Sequence, residues 1–441
     1  MNSYAVLPAP RFGIAIDITG RGNLIFRAGG GIMYDRYQGN EIFNLIVNPP
    51  TIIQPTLVNG LASNIAAGQA YLSPPTLTAI DPNGRWPTVY NFSSGIQARL
   101  PKAVTLDASY VGSLGRKLLY VQPLNDIPYG ADFLPQNQDP TKQAASPSAL
   151  KGSNAYDANF LRTYPGYGGI SLEAFGSTSN YNALQVTVNR RFANGLFLNV
   201  AYTWSKCLST ASNDGTNFRI DGLSRFHLYA PCDQNIPQNL IVNYVYPLPA
   251  VARAIRLDNR VTRTLLNDWQ ISGTTQFRTG TPVTPALSVS GYSGANITGS
   301  TSSNENAVVW LVGNPLTGTS SNPYNRLNSA AFLPPAVGSI GIDSPRNYIV
   351  GPGVNNWDLT LQKTVHIGEK VRTEFRADAF NVFNHTQFNG LNATANFASI
   401  TSTTISNPAY SSSGVLNKGG FGTVSGVRNP RTVQLVVRLV F

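Results

Sequence analysis

Apolar and polar residues alternate with a period of two along most of the chain. In the last segment, Val433, Leu435, Val437 and Leu439 alternate with a mixed, partly polar set before the final residue, Phe441. Such alternation predicts β-strands with one apolar face. About eleven strands are predicted, near residues 12–18, 24–34, 90–100, 104–110, 184–188, 196–204, 240–246, 269–277, 357–361, 371–383 and 433–441. Helical periodicity is almost absent, so we expect an all-β, antiparallel, up-and-down fold.

The predicted strands run to roughly ten to fifteen residues, longer than the five or six usual in soluble sheets. Such strands suit a tilted crossing of a bilayer. Tight turns alternate with long loops, which we place near residues 37–85, 121–180, 207–235, 280–353 and 384–420. This asymmetry is typical of outer-membrane barrels. We therefore interpret residues 1–441 as part of a transmembrane β-barrel, with a soluble sandwich as the alternative.

Aromatic residues fall near both ends of the predicted strands. With the long loops placed outside, the upper positions include Tyr34, Tyr90, Tyr110, Trp204, Trp357 and Phe383, and the lower positions include Trp269 and Phe441. Aromatic rings favour the boundary between lipid headgroups and hydrocarbon. We expect two aromatic belts, and a last strand that faces lipid and is anchored at the periplasmic rim by its terminal phenylalanine.

The composition agrees with a membrane wall. Charged residues make up only 12% of the chain, while Gly (40) and Pro (30) are plentiful, and a water-facing surface normally carries more charge. The formal charge is +11, but the basic residues are scattered in ones and twos, so we expect no nucleic-acid partner. No apolar run approaches the roughly 18 residues of a membrane-spanning helix.

Two sets of residues can each be interpreted in two ways. The ionisable residues Arg372, Glu374, Arg376 and Asp378 share the polar face of one predicted strand. They either contact a plug or solute in the lumen or form an ion-pair ladder across the barrel wall, and we favour the ladder. The two cysteines, Cys207 and Cys232, either form a disulfide within one outer loop or remain two thiols.

Recognisable catalytic chemistry is lacking in the sequence. There is no H-E-x-x-H pattern, no G-x-S-x-G elbow and no phosphate-binding loop, and we expect no enzyme activity, no metal site and no cofactor. The cysteines have no neighbouring ligands at zinc-site spacing. The run Gly29, Gly30 and Gly31 lies in mid-strand, where it predicts a bulge or a close approach of a plug.

The strand count raises a question of topology. Single-chain bacterial barrels have an even number of strands, with both ends on the periplasmic side. Eleven is odd, so a last strand that descends to the periplasm places Met1 on the outer side. The first residues also lack the basic start and apolar core of a secretory signal. From these observations we expect the carboxy-terminal part of a larger barrel.

Six segments resemble the TonB-dependent receptors, and in particular the Oar-like group with large barrels. In chain order the segments cover residues 10–36, 108–119, 181–206, 267–285, 356–388 and 420–441, among them "YNALQVTVNRRFANGLFLNVAYTWSK" and "GFGTVSGVRNPRTVQLVVRLVF". Each is a weak motif alone. Together they follow the expected order over nearly the whole chain.

The resemblance implies a 22-stranded outer-membrane barrel with an amino-terminal plug, which imports a bulky nutrient by means of the energised inner membrane. Eleven strands are half of that barrel. The expected partners are outer-membrane lipid, the missing amino-terminal half and plug, the TonB complex through that missing part, and a ligand of unknown identity. Two alternatives are a passive porin or surface-adhesion barrel without TonB coupling, and a secreted all-β binding protein.

Overall fold

A computed structural model describes residues 6–36, 39–52, 74–142, 154–193, 195–212, 228–256, 259–292, 297–300, 306–316, 322, 324–341, 344–367 and 371–441. Over these ranges the chain consists mainly of β-strands. The short helices are α1 (Gly39–Asn44), α2 (Ala158–Leu161), α3 (Val251–Ala254) and α4 (Arg260–Leu266). None of the helices within these ranges has the length and apolarity needed to cross a bilayer.

The strands, in chain order, are β1 (Arg11–Asp17), β2 (Leu24–Tyr34), β3 (Leu77–Ile80), β4 (Thr88–Leu100), β5 (Val104–Pro123), β6 (Ile170–Ala193), β7 (Leu196–Ser209), β8 (Ala230–Pro231), β9 (Gln238–Pro247), β10 (Trp269–Arg278), β11 (Pro282–Val283), β12 (Ala286–Val289), β13 (Trp310–Leu311), β14 (Phe332–Leu333), β15 (Ile349–Val350), β16 (Val354–Ile367), β17 (Val371–Phe380), β18 (Phe388–Leu391), β19 (Thr394–Phe397), β20 (Val424–Val427) and β21 (Thr432–Val440). One sheet has the strand order β1-β2-β4-β5-β6-β7-β9-β10-β16-β17-β21, and β3 and β8 are attached to β6 and β7. These eleven successive, antiparallel strands are the elements that the alternation predicts.

The strand register aligns the apolar positions of neighbouring strands. Val188 lies opposite Val200, which in turn lies opposite Val242. Since directly opposed residues of an antiparallel pair point to the same face of the sheet, the apolar residues form one continuous surface. The intervening positions form the opposite, polar face.

The sheet has two free edges within the described part of the chain. There, β1 pairs with β2 on one side only, and β21 pairs only with β17. The sheet is therefore open and does not close into a barrel by itself.

The glycine run in β2 is not a bulge. Gly29, Gly30 and Gly31 pair in unbroken register with both β1 and β4. The ring of Phe12 lies over Gly30, where an added Cβ would stand 2.9 Å from a ring carbon. Gly30 therefore makes room for a cross-strand aromatic ring, and of the two alternatives that the sequence offered for this run, the bulge is wrong.

Strands β5 and β6 extend furthest beyond their predicted ends. Strand β5 has 20 residues and β6 has 24, so the predicted loop 121–180 is wrong at both ends and covers only 124–169. The register shifts between Gly115 and Leu118, where Lys117 has a positive φ of 56°. This bulge breaks the period of two, so the alternation does not reveal that the strand continues beyond it.

The outer loops fold together and contain the main buried core. Its twelve buried residues come from 289–349 and 395–421, namely Val289, Ile297, Ala307, Val309, Leu327, Ala331, Phe332, Ile349, Ala395, Phe397, Ile405 and Phe421. The parallel pair β12 and β19 joins the two loops. Strand β20 does not join the wall but pairs with β18.

Candidate functional site

The apolar face of the sheet remains exposed. Trp204 is 59% exposed and Leu435 is 77% exposed, and Val433, Val437, Leu439 and Phe441 of the terminal segment are also exposed. Apolar side chains of a water-soluble sheet would instead pack against a second layer. A wide exposed apolar surface of this kind indicates contact with a membrane or another protein.

Five of the predicted belt residues lie on this apolar face. Tyr110 and Trp204 both lie opposite Leu184, Tyr90 lies opposite Ile32, and Trp357 lies opposite Thr275. Tyr34 lies at the last position of β2, on the same face, opposite Thr88. The register thus brings the upper belt residues of separate strands to one side of the sheet.

Three aromatic rings of the upper belt are in edge-to-face contact. The centroids of Phe277 and Trp357 are 5.7 Å apart, and those of Trp357 and Phe383 are 5.6 Å apart. Trp357 also donates its indole N–H to Asn355 Oδ1 at 3.0 Å. The rings therefore present carbon to the exterior while the indole N–H is satisfied by the protein, as suits a lipid headgroup boundary.

The lower belt is marked by Trp269, at the opposite end of the same strand as Phe277. The two positions are eight residues apart in sequence, which corresponds to about 26 Å along a strand, close to the ~25 Å apolar band of outer-membrane barrels. The indole N–H of Trp269 donates to the Leu265 carbonyl at 2.8 Å, and Lys363 Nζ lies 5.7 Å from its ring centroid.

Three amide side chains and one hydroxyl link four strands across the polar face. Asn199 Nδ2 donates to Asn189 Oδ1 at 2.5 Å, Asn243 Nδ2 donates to Asn199 Oδ1 at 3.3 Å, and Thr274 Oγ1 donates to Asn243 Oδ1 at 2.8 Å. These uncharged groups satisfy one another and still offer hydrogen bonds to water or a solute. Sequence reasoning found the polar face but missed this row, because the register of the four strands decides which polar residues meet.

The four charges of β17 pair along the strand and not across it. Arg372 Nε is 3.3 Å from Glu374 Oε1, and Arg376 Nε is 3.1 Å from Asp378 Oδ2. Thr360 Oγ1 of the neighbouring strand donates to Asp378 Oδ1 at 2.7 Å. Each ion pair joins residues two positions apart, which share a face. In the structure these four residues therefore form two local ion pairs within β17, and not the ladder that we expected.

A disulfide lies at the outer end of β7. Cys207 and Cys232 are joined at 1.93 Å, with their Cα atoms 5.4 Å apart. The adjoining backbone is also held, because Cys232 N donates to Cys207 O at 3.1 Å and Cys207 N donates to Asn235 Oδ1 at 2.8 Å. These bonds fasten the segment before β9 to the upper end of the wall.

The segment before β15 is tied to the disulfide region by two adjacent residues. Arg346 Nη2 donates to Ser209 O at 3.0 Å, and Asn347 Nδ2 donates to Asp233 Oδ1 at 2.6 Å. Burial lowers the pKa of the Arg346 guanidinium, while Asp233 acts in the opposite direction. These residues carry no motif, so sequence reasoning missed them.

A cavity of about 750 Å³ opens beside the disulfide. Its polar lining includes Ser177, Ser179, Ser209, Ser212, Tyr181, Asp35, Arg36 and Asp233, and its apolar lining includes Leu118, Leu119 and Phe175. The size falls in the range of small-molecule sites, roughly 300–1,000 Å³. Hydroxyl groups beside charges of both signs can bind a hydrophilic solute through several hydrogen bonds.

Several solved structures resemble this fold at low sequence identity. The outer membrane transporter YddB from Escherichia coli has 11% identity and a TM-score of 0.46, with 98% of this chain and 40% of that chain covered. The ferric citrate transporter FecA has 7% identity and a TM-score of 0.38, with coverage of 98% and 38%. For the siderophore receptor PiuA from Acinetobacter baumannii, the identity is 9%, the TM-score 0.39 and the coverage 98% and 35%.

The chain thus spans about two fifths of the length of these solved proteins. No curated protein sequence matches it. A family model described as an outer membrane beta barrel domain matches residues 2–434. That match covers nearly the whole chain and agrees with its antiparallel sheet and exposed apolar face. The chain belongs to the outer membrane beta barrel domain family and is a protein of the bacterial outer membrane.

Proposed function

We propose that this chain forms wall and outer loops of a TonB-dependent receptor, which binds a bulky nutrient and imports it. The observation that supports this role is the difference between the two faces of the sheet. One face is apolar and exposed, while the other carries a row of mutually bonded amides below a cavity among folded loops. The proposed role is transport and not catalysis.

The eleven strands are proposed to be half of a closed wall of about 22 strands. Both edge strands lack a second neighbour in the described part of the chain. Unpaired backbone N–H and C=O groups in hydrocarbon cost several kcal/mol each, so an open edge is not stable in lipid. Further strands, together with a plug and a TonB-contacting segment, would complete the Oar-like receptor that the sequence resembles.

The proposed ligand is a hydrophilic solute such as a carbohydrate, a peptide or a metal chelate. The polar groups of the cavity are mainly hydroxyls, with Arg36 opposed by two aspartates. This lining favours several hydrogen bonds over one strong charge contact. The cavity is lined by wall strands and by loop residues such as Arg36, Ser212 and Asp233. A bound solute would therefore contact both the wall and the loops.

The test uses the assembly isolated from outer membranes, and three probes: maltoheptaose, a hexapeptide mixture and ferric citrate. We expect one probe to raise the unfolding temperature of the purified assembly and to be taken up by cells. Ser179→Trp, which fills the cavity, should abolish both effects. Thr187→Trp, on the same face of β6 but away from the cavity, should preserve them.

Planar-bilayer conductance separates a receptor from a passive pore. A plugged receptor should show no steady conductance when reconstituted alone. A large, steady conductance in the wild-type assembly would contradict the proposal and would indicate a porin. Binding that is equally strong in the Ser179→Trp and wild-type proteins would show that the cavity is not the ligand site.

A further inference from the structure

The link between β9 and β10 differs from the other connections at its end of the sheet. The connections β1–β2, β4–β5, β6–β7 and β16–β17 have two to six residues, whereas this link covers 248–268 and contains α3 and α4. It starts from the lower belt, since Leu248 N donates to Trp269 O at 2.7 Å. A link this long is not needed to join two adjacent strands.

The link presents apolar side chains that the sheet does not cover. Val261 is 67% exposed and Leu265 is 61% exposed, and these two residues lie one turn apart on the same side of α4. Val251 and Ile255 of the α3 region are exposed as well. An exposed apolar stripe on a short helix is typical of elements that lie in a membrane interface.

The same link is basic. Residues 248–268 contain four arginines and two aspartates, a net charge of +2. Arg256, Arg260 and Arg263 are all exposed, and α4 has no acidic residue in its first turn. Basic residues beside an exposed apolar stripe complement a membrane surface that contains anionic lipid.

Contacts with the sheet hold the link at the lipid-facing side. The carbonyl of Leu265 accepts the Trp269 indole N–H, and the Asn267 carbonyl accepts a hydrogen bond from Lys363 Nζ. Both Trp269 and Lys363 lie on the apolar face, directly opposite each other. The helix pair is therefore continuous with the surface that contacts lipid, and its stripe extends that surface beyond the strand ends.

From this geometry we propose that the 248–268 link is an interfacial anchor that binds the headgroups of anionic phospholipid, namely phosphatidylglycerol of the periplasmic leaflet. Val261 and Leu265 insert between acyl chains, while Arg256, Arg260 and Arg263 contact phosphate groups. The proposal requires the apolar face to meet lipid. It does not depend on any transported ligand. If the transport experiments fail, the proposal for the link is unaffected.

The test uses the assembly isolated from outer membranes and placed in phosphatidylcholine vesicles with roughly one third phosphatidylglycerol. Spin-labelled forms of the two lipids report how strongly each associates with the protein surface. At low salt we expect phosphatidylglycerol to be preferred at least about threefold, and the preference to be lost near 0.5 M salt, where charges are screened within roughly 4 Å.

Two variants that each remove three positive charges test whether the link causes the preference for phosphatidylglycerol. The triple variant R256Q/R260Q/R263Q should lower the preference to about one. The control R85Q/R326Q/K418Q removes three positive charges at the loop end and should retain it. A wild-type protein without preference, or an equal loss in the control, would overturn the proposal.

A second measurement does not depend on the arginine variant folding. Brominated phosphatidylglycerol should quench Trp269 fluorescence more than brominated phosphatidylcholine, because the indole lies beside the link. The Trp269 signal is the difference between wild type and Trp269→Phe. Equal quenching by the two brominated lipids would contradict a headgroup site at this rim.

Discussion

A charge placed on the apolar face of β7 tests which side of the sheet meets lipid. Val200 lies four residues from Leu196 and four from the belt residue Trp204, which is about 13 Å along the strand in each direction. Its cross-strand neighbours are Val188 and Val242. Val200→Lys thus places an ammonium group near the middle of the expected apolar band.

The expected cost follows from depth in the bilayer. A lysine at the midplane of a lipid-facing barrel surface costs about 2–4 kcal/mol, and one near the interface costs about 0–1 kcal/mol. Val200→Lys should therefore lower the free energy of unfolding by about 2–4 kcal/mol. Ala201→Lys, on the polar face one residue away, should lower it by no more than about 1 kcal/mol.

The assay is urea unfolding of the reconstituted assembly, followed by tryptophan fluorescence and by the mobility of folded and unfolded forms on a gel. Trp204→Lys adds a test of depth, because its charge lies at the interface and should cost little. Two results would refute the reasoning: equal destabilisation by lysine at positions 200 and 201, or a cost that does not decrease from position 200 to position 204.

Three further predictions concern the outer loops and the wall. Replacing Cys207 and Cys232 by serine should lower the stability of the outer loop by roughly 3 kcal/mol, measured as faster proteolytic cleavage between the two positions, with the sheet unchanged. Phe421→Ala removes a fully buried ring from the loop core and should cost about 3–5 kcal/mol; selective loop proteolysis checks it, and loss of sheet circular dichroism would contradict the separate core. Gly112→Ala should reduce folding yield by displacing the Phe92 ring, which lies against Gly112, and restoration of the yield by the added change Phe92→Ala would verify that contact.

The alternation of side chains predicted the strands because it records a local property, the two faces of a half-exposed β-strand. The eleven long strands could therefore be inferred from sequence, together with the apolar side of the sheet that they share. The bulge at Gly115–Leu118 could not be inferred from sequence. It changes the phase of the pattern and so hides the continuation of β5 to Pro123. Strand ends are weakly encoded wherever the register shifts.

The loop architecture was not predictable for a different reason. The core around Phe332 and Phe421 joins residues 89 positions apart in the chain, with ring centroids separated by 4.9 Å, and no local period marks such contacts. The pairing of charges in β17 also differs from the ion-pair ladder expected from the sequence. Alternation places Arg376 and Asp378 on one face, but only the side-chain geometry shows that they pair within the strand.

The most direct test of the central claim is the accessibility of spin labels along β7 in the native outer-membrane assembly. Single labels at successive positions from 196 to 204 are exposed in turn to oxygen, which partitions into lipid, and to a water-soluble nickel chelate. We predict alternation with a period of two, with oxygen favoured at even positions such as Val200 and the nickel chelate favoured at odd positions such as Asn199. Even positions that neither reagent reaches would place the apolar face inside a protein core and contradict the account.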